Sequence, residues 1–435
     1  MEESMAESIK NISIKKKQMS IVFIGHVDAG KSTTGGQILY LAGKIDKRTL
    51  DKYEKESKEK NRESWYLSWA LDSNPEERDK GKTTELGQAY FETEKAVVQI
   101  LDAPGHKMYV PNMILGVNQA DLAVLVISAR QNEFEAGFEK GGQTREHIYL
   151  AKASGISKMC VLVNKMDDVT VGWSEDRYNH IVKSTKKLLH ALFGKTEVVY
   201  MPISGYLGHN IKENTLSEVA PWYKGPSFFG YLDDVTIPRD NAALMYASVT
   251  DSSKEMGGYF ITVRVERGIL DKSQVKLFPG SRKISIISIT KEEEEVEQAC
   301  SGETAKIKLK ENEEIYPGDV ITAASYTETK DSNYFMAALS ILDAKSLITK
   351  GYMAVMHMGA REIPVTVGEL YRKEGDKILK VKFAKTGEKL TCEVFTSSPI
   401  PLEVYSPERR TGIFTLRDET RTVGFGRVLK IKERK

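Results

Sequence analysis

One glycine-containing segment has the residue types and the spacing needed to hold a phosphate chain. It lies between the apolar run 21–24 and a stretch able to form a helix, and it consists of Gly25, His26, Val27, Asp28, Ala29, Gly30, Lys31, Ser32 and Thr33. Glycines let backbone N–H groups turn inward around phosphates, and a helix amino terminus adds a favourable dipole. Lys31 can reach the β- and γ-phosphates, and the Ser32 hydroxyl can ligate Mg²⁺. The segment therefore predicts a phosphate loop.

A second segment supplies groups for the metal and for the terminal phosphate. Asp102 directly follows the apolar run 97–101 and is followed by Ala103, Pro104 and Gly105. A carboxylate at the end of a strand can reach Mg²⁺ directly or through water, and the Gly105 N–H can meet a γ-phosphate. An aspartate three residues before a glycine is common in turns, so this segment carries weight only together with the others.

Two later segments predict recognition of guanine, and each follows its own apolar run. They contain Asn164, Lys165 and Asp167 after residues 159–163, and Ser204, Gly205 and Tyr206 after residues 198–202. The Asp167 carboxylate can accept hydrogen bonds from the N1–H and N2–H₂ of guanine. Adenine lacks this pair of donors, so Asp167 favours GTP over ATP. We expect Asn164 to brace the loops, Lys165 to lie along the base, and the 204–206 segment to close over guanine O6.

A threonine and a histidine complete the expected chemistry. The polar stretch 44–85 lies between the phosphate loop and Asp102, where a segment that orders with GTP is expected. It offers Thr83 or Thr84 as the residue that closes over the γ-phosphate and Mg²⁺, and residue chemistry alone does not choose between them. His106 follows Gly105 and is predicted to orient the attacking water, as a glutamine does in small GTPases. No arginine in this chain stands out as an arginine finger, so we expect GTP turnover to be slow without a partner.

The elements that must position these groups form two patterns. Up to about residue 232, short β-rich runs alternate with helical stretches such as 144–153 and 176–192. This pattern predicts an α/β P-loop GTPase domain with a mostly parallel sheet and helices on both faces. After Pro238 the chain has only short strands with turn signals, which predicts closed or sandwiched all-β domains. The expected division is a flexible lead-in 1–18, a GTP-binding domain 19–236, and two β-domains at 237–326 and 327–435.

Composition excludes several other classes of protein. The 435 residues include 63 basic and 61 acidic side chains, so the net charge of +2 gives no general case for wrapping nucleic acid. Any contact with RNA would have to come from a local patch or from a partner. The three cysteines are too few and too scattered for a disulfide framework or a zinc site. No apolar run is long enough to span a membrane, and the polar N-terminus is unlike a signal peptide, so we expect a cytoplasmic protein.

Longer segments resemble the translational GTPases over nearly the whole chain. The segments 25–28 and 102–106 are characteristic of factors that deliver cargo to the ribosome, and 46–49 and 142–147 are shared with the elongation factor that carries aminoacyl-tRNA. Six segments are similar to the eukaryotic class II peptide-chain release factors: Trp65-Tyr66-Leu67-Ser68-Trp69, Gly81-Lys82-Thr83-Thr84-Glu85-Leu86-Gly87, Tyr90-Phe91-Glu92-Thr93-Glu94-Lys95, Gly105-His106-Lys107-Met108-Tyr109-Val110, Pro221-Trp222-Tyr223-Lys224-Gly225-Pro226 and Gly412-Ile413-Phe414-Thr415-Leu416-Arg417-Asp418.

The resemblance implies an α/β P-loop GTPase domain followed by two all-β barrel domains. It also implies a ribosome-stimulated GTPase of translation termination with GTP or GDP and Mg²⁺ as cofactors. Thr83 takes the switch position and joins Ser32 and Asp102 at the metal, while His106 takes the catalytic position. The expected partners are the ribosome and the class I release factor, the latter mainly through the final barrel, with no membrane and no direct sequence-specific nucleic-acid binding. Two departures are a lead-in of only about 18 residues, where relatives commonly carry a long extension, and Ser273, where relatives often have glycine.

Three alternative functions differ in cargo or chemistry. The first is an elongation or ribosome-rescue GTPase with the same chemistry, which the 65–69 and 107–109 segments disfavour. The second is a metabolic relative that drives sulfate activation and would need a catalytic partner subunit. The third is a GTP-dependent binding module that does not hydrolyse GTP, which the presence of both Thr83 and His106 disfavours.

Overall fold

The structure is a computed structural model. It describes residues 16–59, 66–71, 83, 85–139, 142–194, 198–255, 258–292, 294–310, 314–375 and 377–432. Much of the lead-in 1–18, with Trp65, Gly81, Lys82 and Thr84, lies outside these residues.

The first part of the chain forms a six-stranded sheet in the order β2-β3-β1-β4-β5-β6. Its strands are β1 (Lys17–Ile24), β2 (Gly87–Glu92), β3 (Ala96–Asp102), β4 (Leu122–Ser128), β5 (Lys158–Asn164) and β6 (Val199–Pro202). All neighbours pair in parallel except β2, which is antiparallel to β3. The mostly parallel sheet predicted from the sequence is confirmed, and the apolar runs 21–24, 97–101, 159–163 and 198–202 coincide with strands β1, β3, β5 and β6.

Helices cover both faces of this sheet. They are α1 (Lys31–Leu41), α2 (Lys47–Glu59), α3 (Val110–Gln119), α4 (Glu133–Phe138), α5 (Gln143–Ala153), α6 (Glu175–Phe193) and α7 (Phe228–Asp234), with 3₁₀ turns at Ser68–Ala70 and Lys107–Tyr109. Side chains of β1 alternate between two cores: Val22 and Ile24 face one, Ile21 and Phe23 the other. Because both faces of the sheet are buried, its strands are almost continuously apolar, which made them visible in the sequence.

The second part of the chain is an antiparallel all-β unit. Its strands are β7 (Tyr246–Glu255), β8 (Gly258–Arg267), β9 (Ile269–Asp271), β10 (Val275–Phe278), β11 (Arg282–Ile284), β12 (Ile286–Lys291), β13 (Glu294–Val296), β14 (Gln298–Cys300), β15 (Thr304–Leu309) and β16 (Val320–Ala323). Eight of them follow the order β11-β10-β16-β7-β8-β15-β12-β13, and β9 pairs with β14.

The third part is a closed barrel with one added edge strand. Its strands are β17 (Lys330–Ile341), β18 (Ile348–Thr349), β19 (Met353–Met358), β20 (Arg361–Glu374), β21 (Lys377–Val381), β22 (Phe383–Ala384), β23 (Lys389–Leu402), β24 (Ile413–Asp418) and β25 (Arg421–Lys432). The order is β19-β24-β25-β17-β23-β20-β21, and the further pairing of β19 with β20 closes the barrel. The prediction of a GTPase-type domain followed by β-barrel domains is thus confirmed.

Two details differ from the sequence-based expectations. Strand β1 begins at Lys17, inside the segment expected to be a flexible lead-in, because its backbone pairs with β3 from Lys17 onward. The dip in strand signals at residues 326–332 predicts a linker between two β-domains, yet strand β17 begins within it at Lys330, because its first residues pair with the end of β23.

Buried ion pairs hold the nucleotide domain against the first barrel. The Asp121 carboxylate, just before β4, accepts hydrogen bonds from Arg239 at 2.7 and 2.8 Å and from Arg264 at 2.7 Å. The backbone N–H of Ser20 in β1 donates to the same carboxylate at 2.9 Å. Arg264 is 2% exposed, so this contact is part of the core rather than of the surface.

The third domain contacts helix α5 near both of its ends. Thr422 donates a hydrogen bond to Glu146 at 2.8 Å, and Arg417 lies 3.7 Å from the same carboxylate. Arg410 donates to the carbonyl of Ser154, directly after the helix, at 3.2 Å. In the described part of the chain, no helix is both long enough and apolar enough to cross a membrane.

Candidate nucleotide-binding site

The predicted phosphate loop connects β1 to α1 in a conformation that requires its glycines. Gly25 has φ 145° and Gly30 has φ 91°, and Asp28 also has a positive φ of 60°. A β-carbon on Gly25 would lie 2.2 Å from the carbonyl oxygen of Val126. With Gly30 as its N-cap, α1 begins at Lys31, so the backbone N–H groups of its first turn lie at the end of the loop. This arrangement suits an anion.

Lys31 lies across the loop and close to the second predicted segment. Its amine donates to the carbonyls of Gly25 and His26 at 3.1 and 2.9 Å, and the residue is 7% exposed. A β-carbon on Gly105 would lie 2.6 Å from the amine, so only glycine fits there without displacing Lys31. Burial lowers the pKa of Lys31, while the negative charges of Asp102 and Asp28 oppose that shift. The structure thus brings the two predicted phosphate-contacting segments together.

The three predicted metal-contacting residues bring oxygen atoms to this region. The hydroxyls of Ser32 and Thr83 lie 3.0 Å apart, although the two residues are 51 positions apart in the chain. Asp102 is fully buried at the end of β3. Hydroxyl and carboxylate oxygens are the ligands that Mg²⁺ prefers, so this donor set fits the ion. Of the two candidate threonines, Thr83 is the one that the structure describes.

Asn164 connects three of the predicted loops. Its side-chain amide donates to the carbonyl of Ala29 in the phosphate loop at 2.9 Å. Its side-chain oxygen accepts from the backbone N–H groups of Lys165 and Gly205, each at 2.8 Å. The residue is 3% exposed, and a β-carbon on Gly30 would collide with its amide. The sequence-based expectation that Asn164 braces the loops matches these contacts.

The residues predicted to contact the base lie around this bridge. Asp167 is half-buried, and it is the neighbouring Asp168 that binds Arg130, at 2.6 Å. Lys165 has φ 61° and donates to Glu133 at 2.8 Å. Ser204 is buried and accepts from the Leu207 N–H at 3.0 Å, while Tyr206 is 45% exposed. These positions leave the Asp167 carboxylate available for a base.

His106 caps the short 3₁₀ turn that follows the second phosphate-contacting segment. Its Nδ1 accepts a hydrogen bond from the Met108 N–H at 3.3 Å, and its ring is half-buried against Tyr109. Because Nδ1 is used as an acceptor, the neutral imidazole carries its proton on Nε2. The side chain is therefore oriented by its own turn, next to the Gly105 that touches Lys31.

Sequence reasoning missed His147, a residue of helix α5 that is hydrogen-bonded to the first glycine of the phosphate loop. The Gly25 N–H donates to its Nδ1 at 3.1 Å, and the residue is completely buried in α5. Burial, and secondarily the positive charges of Lys31 and His26, lower the pKa of His147 to about 3, so the ring is neutral. The segment 142–147 was noted only as part of a resemblance, and no local pattern indicates a contact with a residue 122 positions away.

Family models match the first and the third parts of the chain. The family model of the elongation factor Tu GTP-binding domain matches residues 16–252, and that of the GTP-eEF1A C-terminal domain-like family matches residues 334–429. A Kluyveromyces lactis protein named eukaryotic peptide chain release factor GTP-binding subunit is 45% identical over 98% of this chain and 62% of its own length. A Zygosaccharomyces rouxii protein of the same name is 44% identical over 99% of this chain and 67% of its own length.

A solved structure resembles the fold as a whole. The GTPase-like domain of Saccharomyces cerevisiae Ski7, bound to GTP, covers 97% of this chain and 98% of its own with a TM-score of 0.75. At 17% identity that likeness speaks for the fold only. The chain spans about 62% of the length of the Kluyveromyces lactis relative. On sequence identity over nearly its full length, the chain belongs to the family of eukaryotic peptide chain release factor GTP-binding subunits.

Proposed function

We propose that this protein is a GTPase of translation termination that binds GTP or GDP with Mg²⁺ in its first domain. Through its final barrel, roughly residues 330–435, it binds the class I release factor, and on a ribosome at a stop codon it hydrolyses GTP. The observation that carries the proposal is the pair of hydrogen bonds that Asn164 makes with Ala29 of the phosphate loop and with Gly205. They join the phosphate loop to both segments proposed to contact guanine, in a chain of this family.

Each residue has a distinct part in the proposed reaction. Lys31 and the first turn of α1 hold the phosphates, and Asp167 accepts from guanine. Ser32, Thr83 and Asp102 would hold Mg²⁺, which when bound neutralises charge on the β- and γ-phosphates. Gly105 and Thr83 keep the two flanking segments closed while the γ-phosphate is present. His106 Nε2 orients a water molecule toward that phosphate, and the ester hydrolysis that frees the peptide belongs to the partner.

The domain division predicted from the sequence stands, with one change, as part of this proposal. The sequence predicts a lead-in of 1–18, but because β1 starts at Lys17 the first domain is proposed to begin there and to end at 236, followed by domains at 237–326 and 327–435. They are supported by the positions of α7, which ends at Asp234, β7, which starts at Tyr246, and β16 and β17, which flank residue 326. A cytoplasmic location is proposed with it, as expected for a ribosome-dependent factor.

The decisive experiment is GTP turnover with purified eukaryotic ribosomes, with and without the class I release factor. An aminoacyl-tRNA control in place of the release factor tests the elongation-type alternative. Stimulation that needs both ribosome and release factor establishes the proposal. Stimulation by aminoacyl-tRNA, or indifference to both cargoes, overturns the termination assignment and leaves the GTPase assignment, and a complete lack of turnover overturns both.

A further inference from the structure

The outer face of the third domain combines an exposed sheet surface with an unusual set of side chains. Five neighbouring strands, in the order β25-β17-β23-β20-β21, form this face. Along β17, Phe335, Ala337 and Leu339 point into the barrel and are buried, while Tyr334 and Met336 point outward and are half-exposed. The register of the pairs then assigns the outward residues of every neighbouring strand. We call this surface the β17 outer face.

Lysines concentrate on the β17 outer face. In β25, Lys432 pairs with Tyr334 and Lys430 with Met336. In β23, Lys389 pairs with Ser340. In the β20–β21 hairpin, Lys380 pairs with Tyr371 and Lys373 with Ile378. Lys350 reaches the same face from the loop before β19, at 2.5 Å from Glu369. The whole chain has a net charge of only +2, so this is a local concentration of positive charge rather than a general property.

The carboxylates on this face already have partners. Glu369 is bound by Lys350 and Lys380, and Glu393 accepts from the Tyr334 hydroxyl at 2.7 Å and from Lys432 at 3.5 Å. Lys373, Lys389 and Lys430 are exposed and have no carboxylate partner among the described residues. Three cations are thus available to an external anion.

Aromatic rings lie among these lysines. Tyr334 and Phe395 sit opposite each other on neighbouring strands, with ring centroids 4.6 Å apart and planes within 10°. The Lys432 amine lies 4.8 Å from the centre of the Tyr334 ring. Tyr371 is half-exposed on β20 of the same face. Aromatic rings beside a row of cations are the combination that single-stranded nucleic acid uses, with bases against rings and phosphates against lysines.

We propose that the β17 outer face binds a single-stranded or looped segment of RNA without reading its sequence. RNA is favoured over an acidic protein surface because a single strand presents phosphates to the lysines and flat bases to the half-exposed rings in alternation. The inference goes beyond the proposed function because this binding needs neither nucleotide nor release factor. It also agrees with the expectation that any RNA contact comes from a local patch.

The test compares two triple variants of the full chain, each of which reverses three exposed lysines. The first carries Lys373→Glu, Lys389→Glu and Lys430→Glu. The matched control carries changes on the exposed side of α6, namely Lys183→Glu, Lys186→Glu and Lys187→Glu. Affinity for a short fluorescein-labelled RNA of mixed sequence is measured by fluorescence anisotropy at several salt concentrations, without nucleotide. Thermal unfolding of each variant confirms that it is folded.

The wild-type chain is expected to bind, and the first variant to bind at least about tenfold more weakly. A plot of log affinity against log salt concentration should have a slope about 2 units shallower for this variant than for wild type. Each phosphate contact on a single strand contributes about 0.7 to that slope, and three lysines are changed. The control variant should stay within about twofold of wild type. Phe395→Leu should weaken binding about fivefold or more with an unchanged slope, because a stacked base contributes about 1–3 kcal/mol.

Several outcomes would overturn the proposal. Equal losses in the two triple variants would show that only total charge matters, and an unchanged affinity of Phe395→Leu would remove the role of the rings. Polyglutamate that competes as well as RNA would assign the face to an acidic protein. If the first variant lost binding to the class I release factor but kept RNA binding, the face would likewise be assigned to a protein partner. None of these results depends on GTP turnover, so they are separable from failure of the proposed function.

Discussion

His147 accepts a hydrogen bond from the backbone N–H of Gly25 at 3.1 Å, and this contact ties the phosphate loop to helix α5. The residue before it, Glu146, holds Thr422 of the third domain at 2.8 Å. Two adjacent residues of one helix therefore connect the candidate nucleotide site with the final barrel. The imidazole can act as an acceptor only while it is neutral, which its burial ensures.

The buried His147 makes stability depend on pH. Its folded-state pKa of about 3 lies below the ordinary value of 6.5, so the unfolded chain binds more protons in between. The contribution is fully present above about pH 6.5 and is lost as the pH falls towards 3, with a slope of up to about 1.4 kcal/mol per pH unit. Urea unfolding between pH 8 and pH 5 should therefore show a steeper loss of stability for wild type than for His147→Gln. Parallel pH profiles would contradict a buried neutral imidazole.

Glu146→Ala should weaken the contact between α5 and the third domain. It leaves Arg417, which is 3% exposed, and Thr422 without this carboxylate. Removing the acceptor of the buried Thr422 hydroxyl, and with it the nearby charge from the buried Arg417, costs about 1–3 kcal/mol. The free energy of unfolding in urea measures this loss. The exposed Glu218→Ala serves as the control, expected within about 0.5 kcal/mol of wild type. Similar values for both variants would count against the contact.

Asp121→Asn should destabilise the protein more than any change at an exposed ion pair. Arg239 and Arg264 both donate to this carboxylate, and Arg264 is almost fully buried. Burial favours the neutral acid, but the two guanidinium groups outweigh it and keep the pKa of Asp121 low. Breaking such a pair costs about 3–5 kcal/mol. Calorimetric unfolding of both variants measures the loss. The stability of Asp234→Asn, whose partner Lys95 is exposed, should change little. A small effect at Asp121 would mean that the two domains do not stay joined in solution.

His106→Ala should abolish ribosome-stimulated GTP turnover and leave GTP binding intact. The reason is that His106 lies beside Gly105, while Nδ1 accepts from the Met108 N–H and no described residue occupies Nε2 in a hydrogen bond. Turnover is followed by phosphate release and binding by a fluorescent nucleotide analogue. His106→Gln, which can still orient water, should retain more turnover than alanine. Equal loss of binding and turnover would refute the catalytic assignment.

Asp167→Asn should reduce the preference for guanine. The carboxylate is proposed to accept from both N1–H and N2–H₂, and an amide cannot accept from both in the same way. Wild type should prefer GTP to ITP, which lacks the amino group, and the variant should narrow that difference by about tenfold, as expected for loss of one hydrogen bond to a charged group. Asp168→Asn, which alters the carboxylate that binds Arg130, is the neighbouring control. An unchanged preference at Asp167 would exclude base reading by this residue.

Much of the nucleotide domain was visible in the sequence because its signals are local. A strand buried on both faces is an apolar run, and the residues that follow each run fall at one edge of the sheet. Strand β2 was missed because it is an edge strand in which only Phe91 is buried, so it forms no continuous apolar run. The start of β1 at Lys17 was missed because polar residues form that end of the strand.

Contacts between distant segments could not be predicted. The bridge from Asn164 to Ala29 was expected only because its loops were recognised together. Nothing in the residues around Asp121 indicates two arginines from the next domain. The role of His147 likewise depends on how α5 packs under β1, which is a property of the whole fold. Strand order in the two barrels is set by pairings far apart in the chain, so the sequence predicted strands but not their neighbours.

The attachment of the third domain to both ends of α5 has a consequence for how the molecule can open. The helix is 11 residues long, or roughly 16 Å at about 1.5 Å per residue, and it is rigid on that scale. A swing of the barrel about Arg410 would pull Thr422 away from Glu146, and a swing about Thr422 would pull Arg410 away from Ser154. A tilt of the barrel about either end of α5 therefore breaks the attachment at the other end, so the two bodies cannot begin to separate while both contacts stay intact.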